Sequence, residues 1–177
     1  MASSATTSEA ATVMSWSIRR IQSSEEVSRC AELMSETDPW KLLNFSKGQC
    51  EHNLKHPQIR LHGAVRESGL VIGFLASVQY GVGLEPLLEY LCIDSECRNK
   101  GVGTKLIEYF ESALYPEAHN LYLFVSDVNP NAQRLYLRLG YLPVGAIPNY
   151  NLEMQTEFLF RKTRGPKQVG QLYPPDS

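Results

Sequence analysis

The apolar positions change period several times along the chain, and each change marks an element. Trp16 to Gln22 alternates, as a half-buried strand does. Ser23-Ser24-Glu25-Glu26 follows with a capping box, Ser23 as N-cap and Glu26 three residues on. Val27, Cys30, Ala31 and Met34 then recur at helical spacing, and Asp38-Pro39 stops that helix. Ser46 to Lys55 carries a weaker helical pattern. Ile59 to Arg66 and Leu70 to Tyr80 are two apolar runs around Glu67-Ser68-Gly69, which predicts a hairpin. Leu84 to Ile93 adds another strand.

From Gly101 the period becomes helical again. Val102, Leu106, Tyr109, Phe110 and Ala113 share one face of a helix ending near Tyr115-Pro116. Leu121 to Val125 is apolar throughout, as in a strand covered on both faces. Asn129-Pro130 opens a second amphipathic helix, with Asn as N-cap and Pro in the first turn. Its stripe is Ala132, Leu135, Tyr136 and Leu139, and Gly140 closes it. Tyr141 to Ile147 reads as a short strand. Leu152 to Arg161 alternates, with Leu152, Met154, Thr156, Phe158 and Phe160 on one face of a final strand. The order is βααβββαβαββ. Helices interrupt strands of a mixed sheet, so the class is α/β (α+β mixed), with a central twisted sheet flanked by helices.

Composition narrows the functions. A chain of 177 residues with 43% apolar residues can bury one substantial core, and one domain is expected. Lys plus Arg number 17 against 19 Asp plus Glu, a net charge of −2. A nucleic-acid binder would carry a basic excess, and this chain has none. The longest mostly apolar stretch, Leu70 to Val78, is too short to span a bilayer. Cys30, Cys50, Cys92 and Cys97 form no CxxC pair, and four reduced thiols in a cytoplasmic protein are expected. Residues 1–15 are mostly Ala, Ser and Thr, with no basic residue and no apolar core. They are expected to be a disordered leader rather than a signal peptide. Residues 164–177 are expected to be an irregular tail, leaving 16–163 as the domain.

The segment that carries chemistry runs from Leu91 to Thr104. A strand enters a loop holding Arg98, Gly101 and Gly103, and a helix follows at once. Glycines let several backbone N–H groups converge, and the helix N-terminus adds partial positive charge. That is an anion site suited to a pyrophosphate, with Arg98 and Lys100 nearby. A Walker loop needs GxxxxGK[ST] and a dinucleotide fingerprint needs GxGxxG, and the segment matches neither.

The segment resembles the acetyl-CoA loop, R/Q-x-x-G-x-G/A, of the GNAT acetyltransferase superfamily. A second block, Asn129-Pro-Asn-Ala-Gln-Arg-Leu-Tyr-Leu-Arg-Leu-Gly-Tyr141, resembles the family's N-x-x-A-x-x-L-Y-x-x-x-G-[FY]. Both blocks sit at the expected strand–helix junctions, and the resemblance covers residues 16–163. It implies a GNAT fold of about seven strands and four helices, the counts of the deduced order. It implies a cytoplasmic N-acetyltransferase that uses acetyl-CoA, without a metal, and moves the acetyl group directly to a primary amine in a ternary complex. A degenerate domain that binds CoA as a sensor or partner module is the alternative, and a non-GNAT phosphate-binding domain is a more distant one. The acceptor is a small molecule or a protein N-terminus, and the resemblance leaves room for a homodimer.

The resemblance also assigns residues. The cofactor arm would lie between Leu91-Cys92-Ile93 and Leu123-Phe124-Val125, with backbone N–H groups of Cys92 and Ile93 holding the thioester oxygen. Arg98, Asn99, Lys100, Gly101, Val102, Gly103 and Thr104 would hold the pyrophosphate, and Asn129 would contact the arm. Tyr136 would protonate the departing thiolate, although its place on an apolar stripe also suits a structural tyrosine. Glu85 and Glu89 lie four apart on one strand and share a face if no bulge intervenes, and Glu89 is the expected base. The ribosomal-protein alanine acetyltransferases, a subgroup with similar helix blocks, use a Glu where Phe124 stands here. Trp40 and Tyr150 border the expected acceptor site. His52 and His56 lack a third ligand and an HExxH pattern, so no metal site is expected.

Overall fold

The computed structural model describes residues 15–166. The expected leader, apart from Ser15, and the tail beyond Pro166 lie outside the described residues. The elements are β1 (Trp16–Arg20), α1 (Ser24–Ser35), α2 (Lys47–Leu54), β2 (Arg60–Arg66), β3 (Val71–Val82), β4 (Glu85–Ile93), α3 (Val102–Tyr109), β5 (Asn120–Ser126), α4 (Pro130–Arg138), β6 (Leu142–Pro148) and β7 (Thr156–Thr163). This is the expected order.

One seven-stranded sheet runs β1-β2-β3-β4-β5-β7-β6. Every neighbouring pair is antiparallel except β4 and β5. Each face of the sheet carries its own core. On one, Cys30, Met34 and Cys50 of α1 and α2 pack on Phe74 and Cys92. On the other, Leu106, Phe110 and Tyr136 of the α3 and α4 segments pack on Leu75, Leu123 and Phe160.

Local chemistry fixes the helix ends. Ser23 with Glu26, and Ser46 with Gln49, complete reciprocal capping boxes on α1 and α2. The Asn129 carboxamide oxygen accepts from the Ala132 N–H at 3.1 Å, and Pro130 fills the first turn of α4. Beyond α3 the chain widens into one π-helical turn, Phe110–Leu114, closed by the Tyr115 N–H donating to the Phe110 carbonyl at 3.2 Å. The wide turn re-phases the apolar stripe. Phe110 and Tyr115 are buried and Leu114 half-buried, whereas Ala113, expected on the buried face, is exposed.

The last strand also corrects an expectation. It begins at Thr156, not Leu152. The Asn149 side-chain oxygen accepts from the Met154 N–H at 2.7 Å, and the Asn149 N–H donates to the Gln155 carbonyl. These bonds fold 149–155 into a loop, and Met154 stands 91% exposed. The alternation of Leu152 and Met154 therefore has no strand beneath it.

Leu106 lies at the centre of the α3 face with no solvent exposure. Leu106→Ala should destabilise the domain by about 2–5 kcal/mol, read as a lower urea midpoint at unchanged slope.

Candidate active site

The site begins with one extra residue in β4. Across the β3–β4 ladder Ala76 faces Tyr90 while Ser77 faces Leu88, so Glu89 has no partner. This bulge bends β4. The parallel pairing with β5 then holds only at Leu87–Tyr122 and Leu88–Leu123. Beyond it Glu89–Ile93 and Phe124–Ser126 diverge. β7 pairs with β5 along Asn120–Ser126, so β5 cannot follow β4. The β4 edge from Glu89 to Ile93 thus turns unladdered backbone groups toward the gap, and these need partners from water or a ligand. Across β3, Gly73 permits the close approach: a Cβ there would lie 2.8 Å from Ile93 Cδ1 and 3.1 Å from the Cys92 carbonyl oxygen.

The gap leads to the start of α3. Asp94 caps a single 3₁₀ turn, Ser95–Cys97, with its carboxylate accepting from the Glu96 N–H at 3.0 Å. Asn99 and Gly101 take left-handed backbone, φ 59° and 83°. Gly101 is the N-cap of α3 and has no side chain to cap with, so the first N–H groups of the helix, at Val102, Gly103 and Thr104, remain open to an anion. The Arg98 guanidinium donates to the Ile93 carbonyl at 3.2 Å and the Thr37 hydroxyl at 3.1 Å, tying the loop to β4 and to the end of α1.

A cleft of about 1270 Å³ joins these parts. Leu91, Cys92, Ile93, Arg98, Asn99, Gly101, Gly103 and Thr104 border it, with Asn129 and Tyr136 from the α4 segment and Trp40 and Tyr150 from two loops. Lys100 and Val102, also expected at the pyrophosphate, do not line it. Lys100 is exposed, and the Val102 side chain is core, leaving its N–H as its contribution. Arg134 and Arg138 line the cleft on α4. Cys92 contributes no side chain to any chemistry: its thiol is buried against the Leu33 carbonyl, and burial pushes its pKa up to about 11.

The two faces of the gap differ. From the α4 side comes Tyr136, 7% exposed, its ring edge-on to Tyr141 at 6.1 Å. Burial pushes its phenol well above the ordinary value, so it is protonated at neutral pH. From the α1–α2 side come two aromatic pairs. Trp40 stands edge-on to Tyr90 at 5.8 Å, and Tyr150 stacks on Phe124 at 5.7 Å.

The expected carboxylate pair is divided. Glu89 lines the cleft at the bulge, and desolvation by the cleft walls raises its pKa. Glu85 is buried beside the β3–β4 turn, paired in register with Val82, and does not line the cleft. The bulge at Glu89 breaks the simple alternation on which a shared face rested.

A buried cleft carboxylate escaped the sequence reading, as did Glu36 at the cleft's rim. Glu157 of β7 is 6% exposed, lines the cleft, and accepts a hydrogen bond from Asn151 at 3.0 Å. Burial raises its pKa, against the opposing pull of the Asn151 bond. Its signal in the sequence was an acid between Thr156 and Phe158, on the strand face taken for solvent.

A sequence model described as the Acetyltransferase (GNAT) family matches residues 18–141. The chain belongs to the GNAT acetyltransferase family. Both glycine loop and α4 fall inside the matched segment, whereas Tyr150, Asn151 and Glu157 lie beyond it. Among solved structures, the ribosomal-protein-S18-alanine N-acetyltransferase from Escherichia coli superposes with a TM-score of 0.70 at 15% identity, over 88% of this chain and 97% of that one. An aminoglycoside 6'-N-acetyltransferase complexed with coenzyme A gives 0.69 at 19% identity, over 86% and 99%. At these identities the likeness is one of fold. A Bacillus subtilis protein, YdhI, itself uncharacterised, is 32% identical over 87 residues. The chain spans about half the length of that relative, 52%, and the match takes up 49% of this chain.

GNAT proteins use acetyl-CoA, and the residues here fit it: an unladdered strand edge for an extended arm and an uncapped helix N-terminus for phosphate. No cluster of metal-ligating residues occurs among the described residues, His52 and His56 included.

The raised carboxyls have a consequence for stability. A group whose folded pKa lies above its unfolded one binds its proton more tightly when folded, so its charge costs stability at neutral pH. Glu157→Gln keeps the acceptor for Asn151 and removes that charge. It should raise Tm at pH 7, by roughly 2–4 °C for each kcal/mol relieved. The gain should shrink as pH falls through the raised pKa of Glu157 and vanish below the ordinary carboxylate range. Thermal melts from pH 7 down to pH 4 check the sign and the window.

Proposed function

We propose that the protein acetylates a primary amine by direct transfer from acetyl-CoA in a ternary complex. The observation that carries this reading is the continuity of the β4–β5 gap with the open N-terminus of α3 in one cleft. Acetyl-CoA supplies the activated acyl group. Backbone N–H groups of Leu91 and Ile93 hold its arm and donate to the thioester oxygen, where negative charge grows during attack, whereas the Cys92 N–H, like that of Asp94, which donates to the Ile72 carbonyl, is turned to β3. The loop from Arg98 to Thr104 receives the pyrophosphate, and Asn129 flanks the arm. Lys100 adds charge from outside the cleft.

Tyr136 gives its proton to the departing thiolate. Its raised pKa keeps that proton in place until sulfur charge develops. Glu89 removes the proton that the amine must lose, directly or through one water. Its raised pKa brings it nearer the pH at which a base is useful. Tyr136 and Glu89 are separate groups on α4 and β4, so attack and departure do not compete for one proton site. Glu85, buried away from the cleft, takes no part. Trp40 and Tyr150 form walls of the acceptor site. An amine of lowered basicity, such as an α-amino group, is partly free at pH 7 and asks less of Glu89 than a lysine does. Such a reaction belongs in the cytoplasm. No helix among the described residues is long and apolar enough to cross a membrane.

Thermal unfolding tests the cofactor site. Acetyl-CoA at about a hundred times Kd should stabilise the wild type by about 2.7 kcal/mol. Gly103→Glu should abolish the shift. A Cβ at Gly103 meets nothing nearer than 3.6 Å, so the variant folds, and its carboxylate competes for the site of the phosphate. An unshifted wild type would overturn the reading. Tyr136→Phe should lower kcat by about 10–100-fold with acetyl-CoA affinity nearly unchanged. Acetyl-CoA binding with no turnover of any amine would favour a CoA-binding module instead.

A further inference from the structure

We propose that Glu157 anchors a second positive charge of the acceptor, so that the enzyme selects an amine carrying another cationic group about 12 Å from the nitrogen that attacks. This inference rests on the acetyl-transfer reading and extends it to the acceptor class. It starts from the register of β5 and β7. Ser126 faces Glu157 and Phe124 faces Leu159, so these four side chains share one face of the sheet. Val125, Leu123, Phe158 and Phe160 belong to the core on the opposite face. Glu157 therefore faces the α1–α2 side, where Trp40, Tyr90 and Tyr150 stand, and not the Tyr136 side.

Along β5, Leu123 is the last residue paired to β4, which sets Phe124 level with the bulge at Glu89. Ser126 lies two residues further on, about 7 Å at strand rise, and Glu157 stands opposite it on β7, two strands across from β4, so the backbones of Glu89 and Glu157 are roughly 12 Å apart. The sheet thus brings two carboxylates to the cleft, Glu89 where the acceptor nitrogen meets the thioester and Glu157 an alkyl span beyond it. Neither forms an ion pair with any described residue. A buried carboxylate with no cation beside it is costly, and a cationic ligand removes that cost.

The surrounding charge agrees. Glu36 and Asp38 line the same cleft from the α1–α2 loop, with Lys41 as the one cation among its lining residues there. The other lining cations, Arg98, Arg134 and Arg138, belong to the α3 loop and α4, on the cofactor side. Asp127, next to Ser126, adds to the negative field at Glu157. The stacked rings of Phe124 and Tyr150 offer an aromatic face to an ammonium in transit. Asn151 holds one Glu157 oxygen, which leaves the carboxylate oriented rather than free to swing.

The probes are 1,8-diaminooctane, with two ammonium groups at about this spacing, and octylamine, with one. Turnover is followed by thiol release from acetyl-CoA. Binding is followed by calorimetry and thermal shift on the protein alone and with CoA. The wild type should prefer the diamine about tenfold or more in kcat/KM, most of it in KM, as expected for one charge-assisted contact. Glu157→Gln should erase that preference while leaving octylamine turnover within about twofold. Glu153→Gln, which removes a nearby exposed charge outside the cleft, should keep it. Equal handling of both amines by the wild type, or a preference that survives in Glu157→Gln, overturns the proposal. Diamine binding that depends on Glu157 without any turnover upholds the anchor and overturns the catalytic reading. Absence of both binding and preference overturns the anchor.

Discussion

The molecule turns on a failure of strand pairing. A parallel pair that begins at Leu87–Tyr122 ends one residue later, because β4 carries an extra residue at Glu89 and β5 is held to β7 along its whole length. Two strands joined at one end and apart at the other make a wedge whose walls are unladdered backbone. Such walls are polar and rigid at once. Their N–H groups are fixed by the ladder on the far side of each strand, so they meet a ligand without first being ordered. Everything else in the cleft is arranged around that opening. α3 begins where β4 ends, α4 begins where β5 ends, and both helix starts are set by local devices, the left-handed Gly101 and the Asn129 cap.

The wedge also separates the chemistry by face. α4 packs on one side of the sheet and brings Tyr136 up beneath the gap, while the α1–α2 loop and the β6–β7 loop border the other side. An acid enclosed in an apolar core keeps its proton, and carboxylates at a cleft wall stay in reach of water and of an incoming amine. Burial raises the pKa of Tyr136, Glu89 and Glu157 alike, yet the consequences differ with the role. For the phenol it holds the protonated form, and on the proposed reading it strengthens Glu89 as a base. For Glu157 it stores an unpaired charge that a cation would relieve, at some expense in stability while the cleft holds only water.

How much of this the sequence discloses follows from the range of each determinant. Helix caps, the Gly69 hairpin and the Asn129-Pro130 start are local, and they stand where the sequence puts them. The glycine loop could be read because an uncapped helix start needs residues without side chains in the way. The bulge at Glu89 could not, since one unpaired residue is a relation between β3 and β4 and leaves no mark in β4 alone. The false start of β7 at Leu152 has the same origin: Asn149 captures the Met154 N–H, and a side chain five residues away outweighs an alternation of two. In the α3 segment the π-turn moves burial from Ala113 to Leu114 and Tyr115, which a fixed period cannot anticipate.

Glu157 marks the sharpest limit. On β7 the apolar residues Phe158 and Phe160 claim one face, and the period rule assigns the acid opposite them to solvent. That rule holds for a strand at the edge of a sheet with one face open to water. β7, however, runs between β5 and β6, and the loop before it returns Asn151 onto the Glu157 carboxylate. The solvent face of the pattern is therefore the floor of a cleft. The family's shared segment ends at Tyr141, before β6, the loop and β7. The matched segment thus holds the glycine loop and α4, whereas the loop and strand that carry Tyr150, Asn151 and Glu157 lie beyond it. A fold that keeps its wedge and helix starts constant while varying the α1–α2 and β6–β7 loops can present one acyl donor to different amines. On the proposed reading, the charge and aromatic content of those two loops, together with Glu157, sets the choice of acceptor.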